Sequence, residues 1–191
     1  ETLTDIKNQG TYSPPAGCYD VERMLVSSPQ GEILDCDLSY DGRTILFSWR
    51  QKEDEGYHLW TVNVDGTGRR QLTRGDWHDY NGCWLPDGGI AFVSTRSAQF
   101  AYCWNSPVGV VHRMEADGSN VRCLSGNYLN DFTPYPLDDG RIIYSRWEYV
   151  DRPAIPIQSL WTLNPDGTGL AGYFGNRVLS PATFMEARSI P

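Results

Sequence analysis

The sequence predicts an all-β fold: a β-propeller segment of about three four-stranded antiparallel blades, with an orphan strand at each end. The first observation is an internal repeat with a period of about 46 to 52 residues, which is the size of a propeller blade. The second is a composition of 19 glycines, 12 prolines and 13% aromatic residues, which suits short strands joined by tight turns. The third is that apolar residues show no helical spacing, so we expect almost no helix.

Two signatures alternate within the repeat. The first is an Asp-Gly pair followed by an apolar run, found at residues 41–48, 87–94 and 139–145. The second is an apolar run followed by an Asp-Gly pair, found at residues 59–68, 111–120 and 160–169. An Asp-Gly pair between two β-rich runs is typical of a hairpin turn, because glycine readily adopts the positive φ that such a turn requires. Each repeat is therefore interpreted as four strands, of which the first ends at the first Asp-Gly pair.

These strands divide the chain into blades. The predicted units are an N-terminal extension at 1–17, the outer strand of a preceding blade at 18–34, three blades at 35–75, 76–126 and 127–176, and the start of a following blade at 177–191. Propellers typically close with four to eight blades. Three blades and two orphan strands cannot close a ring, so we expect a piece of a longer protein or a ring completed by association.

Composition and motifs exclude several functional classes. The net charge of −8 argues against a nucleic-acid partner, because phosphate binding requires a basic surface. No apolar run reaches the roughly 20 residues of a transmembrane helix. The five cysteines include no C-x-x-C pair, and most are expected to be small packing residues. No P-loop, nucleophile elbow or zincin motif is present, so the chain carries no complete catalytic constellation, and no cofactor or metal is predicted.

Three stretches carry a family resemblance: residues 85–96, 144–152 and 160–169. The repeat resembles the TolB-like propeller repeats of exported bacterial proteins. The three stretches are similar, more narrowly, to the propeller region of the hydrazine synthase alpha-subunit-like family, and the string Ser-Arg-Trp-Glu-Tyr-Val-Asp-Arg at 145–152 is the most distinctive. The namesake of that family holds covalent haem through C-x-x-C-H, which this chain lacks, so no haem residue is carried over. The resemblance implies a propeller fold and a periplasmic or extracellular location.

Two functional hypotheses follow. The first is a binding or scaffold segment of an exported bacterial multidomain protein. The second is the propeller part of a larger, haem-containing enzyme whose catalytic centre lies outside this chain. The expected partners are other blades or domains of the same protein and a protein or small-molecule ligand.

The candidate ligand-binding residues begin with three aspartates. Asp35, Asp79 and Asp131 each open an inner strand, six to eight residues before the first Asp-Gly pair. Ligands of propellers bind where inner strands meet the central channel, so these carboxylates could hold a cation or a basic ligand there. The alternative is that each carboxylate caps backbone N–H groups. His78 beside Asp79 makes the second blade the most ligand-like.

Arginines follow the second strand of every repeat, at Arg50, Arg96 and Arg146. A recurring position predicts either pairing with an acid of a neighbouring blade or a ring of anion ligands. In the third blade, Arg146, Trp147 and Glu148 open an aromatic and charged loop that is either a recognition site or an exposed, ion-paired loop.

The other two histidines are assigned structural positions. His112 stands where the other repeats have tryptophan and is expected to pack in the core. His58 begins a third strand and is expected to face solvent.

Overall fold

The structure is a computed structural model that describes residues 23–102, 105–149, 158–178 and 180–190. Predictions for other parts of the chain, including the extension at 1–17 and the end of the loop at 150–152, lie outside the described residues.

The described residues form three antiparallel four-stranded sheets and contain no helix. The first blade comprises β1 (Glu32–Leu38), β2 (Thr44–Arg50), β3 (His58–Asn63) and β4 (Arg70–Gln71). The second comprises β5 (Asp79–Trp84), β6 (Ile90–Ser94), β7 (Val110–Met114) and β8 (Arg122–Cys123). The third comprises β9 (Asp131–Pro136), β10 (Ile142–Trp147), β11 (Gln158–Leu163) and β12 (Ala171–Phe174). In each blade the strands are hydrogen-bonded in chain order, which confirms the predicted fold class. No helix in the described part of the chain has the length and apolarity needed to cross a membrane.

The Asp-Gly turns lie at one end of each blade. All six turn glycines have positive φ, between 70° and 89°. In the second turn of the second and third blades the glycine also lies against the preceding blade. A Cβ on Gly118 would lie 2.6 Å from the carbonyl oxygen of Leu72, and one on Gly167 would lie 3.2 Å from that of Leu124. These glycines therefore satisfy both the turn and the close contact between blades.

Apolar side chains pack between adjacent sheets and form the core. The cluster between the first and second blades contains Leu46, Leu59, Leu72, Trp84, Ile90, Phe92 and Met114. The cluster between the second and third blades contains Cys83, Leu85, Ala91, Val111, Leu124, Ile142, Tyr144 and Leu163. Cys83 thus packs as predicted, whereas Cys36 and Cys123 are exposed, so the packing prediction is wrong for those two.

An arginine on the outer strand of one blade contacts the second turn of the next blade. Arg70 Nη2 donates to the Ala116 carbonyl at 3.1 Å, and Arg122 Nη2 donates to the Pro165 carbonyl at 3.4 Å. These outer-strand arginines also lower the pKa of the exposed turn aspartate of the next blade, although hydrogen bonds within the turn lower it more. The third blade has Ala171 at this position of its outer strand.

The segment before β1 occupies the place of a preceding outer strand. Arg23 and Leu25 lie against Gly66, as Leu72 lies against Gly118 in the next blade. Residues 23–28 nevertheless form no strand, and β1 begins at Glu32, three residues before the predicted start of the first blade.

The segment after β12 follows the path of a next inner strand. The amide of Phe184 donates to the Gln158 carbonyl at 3.1 Å, just as the amide of Asp131 donates to the Gly109 carbonyl at 2.8 Å in the preceding blade. Thr183 makes an isolated parallel bridge with Gln158 rather than a regular strand.

Two of the histidines lie inside the fold. His112 is 2% exposed, packs against Phe92 with ring centroids 5.8 Å apart, and hydrogen-bonds the Val110 carbonyl through Nδ1 at 2.9 Å, which confirms the packing prediction. The prediction that His58 faces solvent is wrong. Its side chain is only 12% exposed, because Asp79 of the next blade covers it, with Nδ1 and Oδ2 3.7 Å apart.

Candidate functional site

The three predicted aspartates do not occupy one repeated position. Asp35 is the bulge residue of β1, with a left-handed φ of 44°, and its counterparts are Asn81 at 51° and Thr133 at 45°. Asp79 and Asp131 lie two residues before their bulges, where β1 has an apolar residue. The described residues contain no group of three or more His, Cys, Asp or Glu side chains placed to hold a metal ion. The aspartates are therefore best considered one by one.

Asp35 joins the first two blades at the inner strands. Its carboxylate accepts hydrogen bonds from the backbone amide of Asn81 at 2.7 Å, from the Asn81 side chain at 3.0 Å and from Ser48 Oγ at 2.8 Å. Burial raises its pKa to about 6, although these hydrogen bonds favour the charged form.

Asp79 is fully buried and ionised. Burial acts to raise its pKa, but hydrogen bonds and the adjacent guanidinium of Arg96 outweigh burial and lower it. Both carboxylate oxygens accept from Arg96 Nη2, at 2.9 and 3.0 Å, and Trp77 Nε1 donates at 3.2 Å. These contacts fix the connection into β5.

Asp131 is also fully buried, but the side chains that donate hydrogen bonds to it are uncharged and none of them is an arginine. It accepts hydrogen bonds from Ser125 Oγ at 2.5 Å and Asn127 Nδ2 at 2.9 Å. Burial raises its pKa to about 6, and the nearby Arg146 offsets that effect only in part. Asp79 and Asp131 thus hold equivalent positions but have opposite pKa shifts.

The three arginines each meet an acid of their own blade, so the predicted pairing with a neighbouring blade is wrong. Arg50 pairs across the sheet with Glu32, with Nη2 and Oε2 3.0 Å apart. Arg96 lies beyond the end of β6 and reaches back to Asp79. In the first two blades the acid lies on the inner strand, which starts beside the end of the second strand of its own sheet, whereas Arg146 pairs with Glu148 two residues farther along the chain.

Arg146, Trp147 and Glu148 form a separate group in the third blade. Arg146 is buried; its Nε donates to Glu148 at 2.9 Å, and its guanidinium lies 5.1 Å from the ring centroid of Trp161. Trp147 packs against Tyr149 with ring centroids 5.6 Å apart. This group is not brought together with Asp35 and His78.

A cleft of about 290 Å³ opens between the first two blades, at the end opposite the Asp-Gly turns. Its lining residues are Leu34, Tyr57, His78, Tyr80, Thr95, Ser106 and Pro107. They come from β1, β5 and the connections before β3, before β5 and between β6 and β7. The cleft therefore depends on the packing of one blade against the next.

His78 is held in the wall of this cleft by two hydrogen bonds. Its backbone amide donates to Thr95 Oγ1 at 2.9 Å, and its Nδ1 accepts from the amide of Tyr57 at 3.3 Å. Burial, followed by the charge of Arg50, lowers the pKa of the imidazole, so the ring is neutral at pH 7. Since Nδ1 is an acceptor, Nε2 carries the proton of the neutral ring.

Tyr80 supplies a hydroxyl group to the lining of this cleft. Burial raises its pKa to about 12, with a contribution from the charge of Asp131, and no other described residue hydrogen-bonds its Oη. Gly109 makes room for the ring, because a Cβ there would lie 2.6 Å from Tyr80 Oη.

Tyr57 is fixed at the rim of the cleft. Its hydroxyl donates to the Glu32 carboxylate, and the Arg50 guanidinium lies 5.2 Å from its ring centroid. The ring of Tyr57 also lies 6.0 Å from that of His78, at an interplanar angle of 44°. Glu32 and Arg50 at the rim thus pair with each other and hold the ring of Tyr57 in place.

A larger cleft of about 410 Å³ lies among the turns of the second and third blades. Its charged groups are already used in blade packing: Arg113 Nη1 pairs with Asp87 at 2.8 Å, and Arg122 binds the turn of the third blade. The smaller cleft is the stronger ligand-site candidate, because none of its described lining residues takes part in an ion pair, whereas Arg113 and Asp139 of the larger cleft do.

Among the residues that line this cleft, His78 is predicted from the sequence as a candidate, whereas Tyr57, Tyr80 and Thr95 are not. Tyr80 lies two residues after His78 and before the bulge at Asn81, so strand alternation alone would have placed the two residues on one side of the sheet. Tyr57 belongs to the preceding blade, and the sequence carries no signal that pairs the two.

Comparison with solved structures identifies the architecture. A TolB structure from Agrobacterium tumefaciens matches with a TM-score of 0.62 and 20% identity, over 80% of this chain. Hydrazine synthase from Kuenenia stuttgartiensis matches with a TM-score of 0.67 and 17% identity, over 76% of this chain. The fold is that of a TolB-like β-propeller. No protein-family model and no curated protein matches the sequence.

The chain spans only part of these proteins. It covers 52% of the TolB chain, 26% of the hydrazine synthase chain and 23% of a puromycin hydrolase that matches with a TM-score of 0.60 and 19% identity. The matched region therefore makes up about half of the TolB chain and about a quarter of each of the two larger chains.

Proposed function

We propose that this chain is the ligand-binding and scaffold segment of an exported bacterial propeller protein, with its ligand site in the cleft between the first two blades. The observation that carries the proposal is the cleft itself, which is lined both by the neutral His78 imidazole and by Tyr80, whose hydroxyl no other described residue hydrogen-bonds. Because Tyr80 lines the open cleft, that hydroxyl is free to bond a ligand bound there.

The scaffold part of the proposal rests on the two ends of the segment. Arg23 and Leu25 lie where an outer strand of a preceding blade would lie, and Phe184 hydrogen-bonds as an inner strand of a following blade would. The proposed partners are therefore the blades or domains that complete the ring. Export to the periplasm or the cell exterior is supported by the TolB-like resemblance.

Amide chemical shifts measured by NMR test the ligand site. Probes of different charge and shape (methyl glucoside, glucuronate, glucosamine, choline and phenol) are added singly to the labelled chain at millimolar concentration. We expect at least one of them to shift the amides of His78 and Thr95. The expected shift disappears in Ser106→Trp, which fills the cleft, and persists in Gln51→Trp, which places the same side chain at an exposed site outside it. Shifts for none of the probes, or shifts that survive Ser106→Trp, would refute the ligand site.

The second hypothesis, a propeller part of a larger haem-containing enzyme, is favoured by the coverage of hydrazine synthase, of which a propeller like this one is about a quarter. The parent reading frame distinguishes the two hypotheses. A C-x-x-C-H motif or another catalytic module supports the enzyme, whereas repeats with adhesion modules only support the scaffold.

A further inference from the structure

The cleft of about 290 Å³ is small for a ligand site. Small-molecule sites typically measure about 300 to 1,000 Å³, so this cleft lies at the lower limit of the range. Its occupant is therefore about the size of a single six-membered ring with its substituents.

The lining of the cleft carries no formal charge. None of its seven residues is Asp, Glu, Lys or Arg, and burial keeps the imidazole of His78 neutral at pH 7. At the rim, Glu32 and Arg50 neutralise each other, with Nη2 and Oε2 3.0 Å apart. The charges behind the lining are fully buried: Asp79 is paired with Arg96, and Asp131 lies near Arg146. A charged ligand would lose its hydration in this cleft without gaining an opposite charge, which is strongly unfavourable. The occupant is therefore neutral.

The lining nevertheless offers several hydrogen-bonding groups. The hydroxyls of Tyr80, Thr95 and Ser106 and the Nε2–H of His78 can each donate, and the three hydroxyls can also accept. Purely apolar rings would leave these groups unsatisfied. A ligand that carries several hydroxyls would satisfy them, because a hydroxyl both donates and accepts.

Flat and apolar surfaces complete the wall. The rings of Tyr57, Tyr80 and Pro107 present broad faces, and Arg50 and Glu32 hold Tyr57 in position. An aromatic residue offers an apolar face and a polar edge. A sugar ring has the matching structure, with C–H groups on its faces and hydroxyls around its edge.

From this match of size, charge, hydroxyl array and flat walls, and resting on the proposed ligand site, we infer that the cleft binds one neutral sugar ring, either as a free monosaccharide or as the end unit of a glycan. The apolar face of the sugar packs on a tyrosine, and its hydroxyls bond to Tyr80, Thr95 and His78.

A matched series of ring compounds tests the inference with the intact chain. Methyl glucoside, methyl galactoside and methyl mannoside are the neutral sugars, glucuronate adds a carboxylate, glucosamine adds an ammonium, and cyclohexanol keeps the ring but lacks the hydroxyl array. Dissociation constants are measured from the amide shifts of His78 and Thr95. At least one neutral methyl glycoside should bind about tenfold more tightly than its charged relatives and than cyclohexanol. A disaccharide that carries this sugar as its non-reducing end unit is then compared with the free monosaccharide: tighter binding of the disaccharide indicates a glycan end, and tighter binding of the monosaccharide indicates a free sugar.

Tyr80→Phe removes only the hydroxyl that no described residue bonds, so it should weaken binding of the neutral sugar about three- to tenfold while the melting temperature stays unchanged. Tyr173→Phe, at an exposed site on β12, is the matched control and should bind like the wild type. Tighter binding of glucuronate, glucosamine or cyclohexanol, or full binding by Tyr80→Phe, would overturn the sugar assignment and leave the ligand site standing. Binding of no compound, including choline and phenol, would remove both.

Discussion

The carboxylate of Asp35 accepts hydrogen bonds from both the backbone amide and the side-chain amide of Asn81, at 2.7 and 3.0 Å, and the two residues are the bulge residues of adjacent blades. Glu186 repeats the contact farther along the chain, since its amide donates to Thr133 Oγ1 at 3.1 Å. Asp35 and Thr133 thus each use a bulge side chain to bond the backbone of the next inner segment, whereas the Asn81 side chain bonds back to Asp35.

Asp35→Ala should destabilise the chain by about 1–3 kcal/mol, because it leaves the Asn81 amide without an acceptor and places a residue with a Cβ but no polar side chain at a left-handed φ. Asp35→Asn keeps an acceptor oxygen and tolerates this φ, so it should stay close to the wild type. Urea unfolding measures both, with Cys36→Ala at the adjacent exposed residue as the control. Equal stability of Asp35→Ala and Cys36→Ala would contradict the role of this contact.

Gly118→Ala should cost more than Gly88→Ala, although both glycines have a φ of 85°. A Cβ at Gly88 meets nothing within 4 Å, so Gly88→Ala shows only the left-handed penalty of roughly 1–2 kcal/mol. A Cβ at Gly118 would lie 2.6 Å from the Leu72 carbonyl, which adds about 1–3 kcal/mol of overpacking. Denaturant unfolding of the two variants gives the difference, and identical losses would show that the blades adjust freely.

His112→Phe should be neutral or stabilising by up to about 1 kcal/mol, because it adds apolar burial beside Phe92. His112→Asp should destabilise by about 2 kcal/mol or more, because it buries an unpaired charge. Thermal melts with and without divalent metal measure both effects. A metal-dependent stabilisation that His112→Phe abolishes would contradict the packing role.

The same histidine should make the fold sensitive to acid. Burial lowers the pKa of His112 in the folded state below its ordinary 6.5, so the unfolded chain binds more protons as the pH falls through that value. Stability should decline from about pH 6.5 downward, and His112→Phe should decline less. Unfolding free energies measured at pH 5 and pH 7.5 provide the comparison, and parallel declines would count against this histidine as a source.

Asp79 and Asp131 should have opposite pH dependences. The folded pKa of Asp131 is raised from 3.8 to about 6, so the folded state holds the extra proton, and the wild type should lose stability relative to Asp131→Asn as the pH rises from about 4 to 6. The folded pKa of Asp79 is lowered, so the wild type should gain stability relative to Asp79→Asn as the pH rises through about 4. Urea melts of both variants from pH 3 to pH 7 give the two slopes, and slopes of the same sign would be inconsistent with these environments.

The blades and their turns could be predicted because each Asp-Gly pair marks a turn in the sequence itself. The alignment of the inner strands could not be predicted in the same way. Asp35 lies six residues before its Asp-Gly turn, whereas Asp79 and Asp131 lie eight residues before theirs, so the three aspartates are not equivalent. In every blade the residue six positions before the first Asp-Gly pair is the bulge residue. Asp35 is therefore a bulge residue, whereas Asp79 and Asp131 lie two residues before one, and a hydrophobic alternation pattern does not reveal where a bulge lies.

The candidate site was only partly predictable for a different physical reason. His78 was recognisable by residue type, but its cleft is formed by two blades and by the loop that carries Ser106 and Pro107. The burial of His58 was missed for the same cause, since the covering residue, Asp79, belongs to the next blade. Contacts within a repeat can be read from a repeating sequence, whereas contacts between repeats depend on where the copies differ.

The arginine contacts between blades bear on how such chains diversify. A blade that has both the outer-strand arginine and the second Asp-Gly turn can donate to the turn of the next blade and accept from the arginine of the blade before it. Duplication or deletion of a whole blade would therefore bring an arginine and a turn together again. Arg70 and Arg122 are interchangeable in this respect, because both reach a carbonyl in the second turn of the following blade. Ala171 ends the series, so a unit exchanged after the third blade would meet a joint of a different kind. Exchange of units would therefore keep the arginine contact at the first two junctions, whereas Ala171 offers no guanidinium to a turn that follows it.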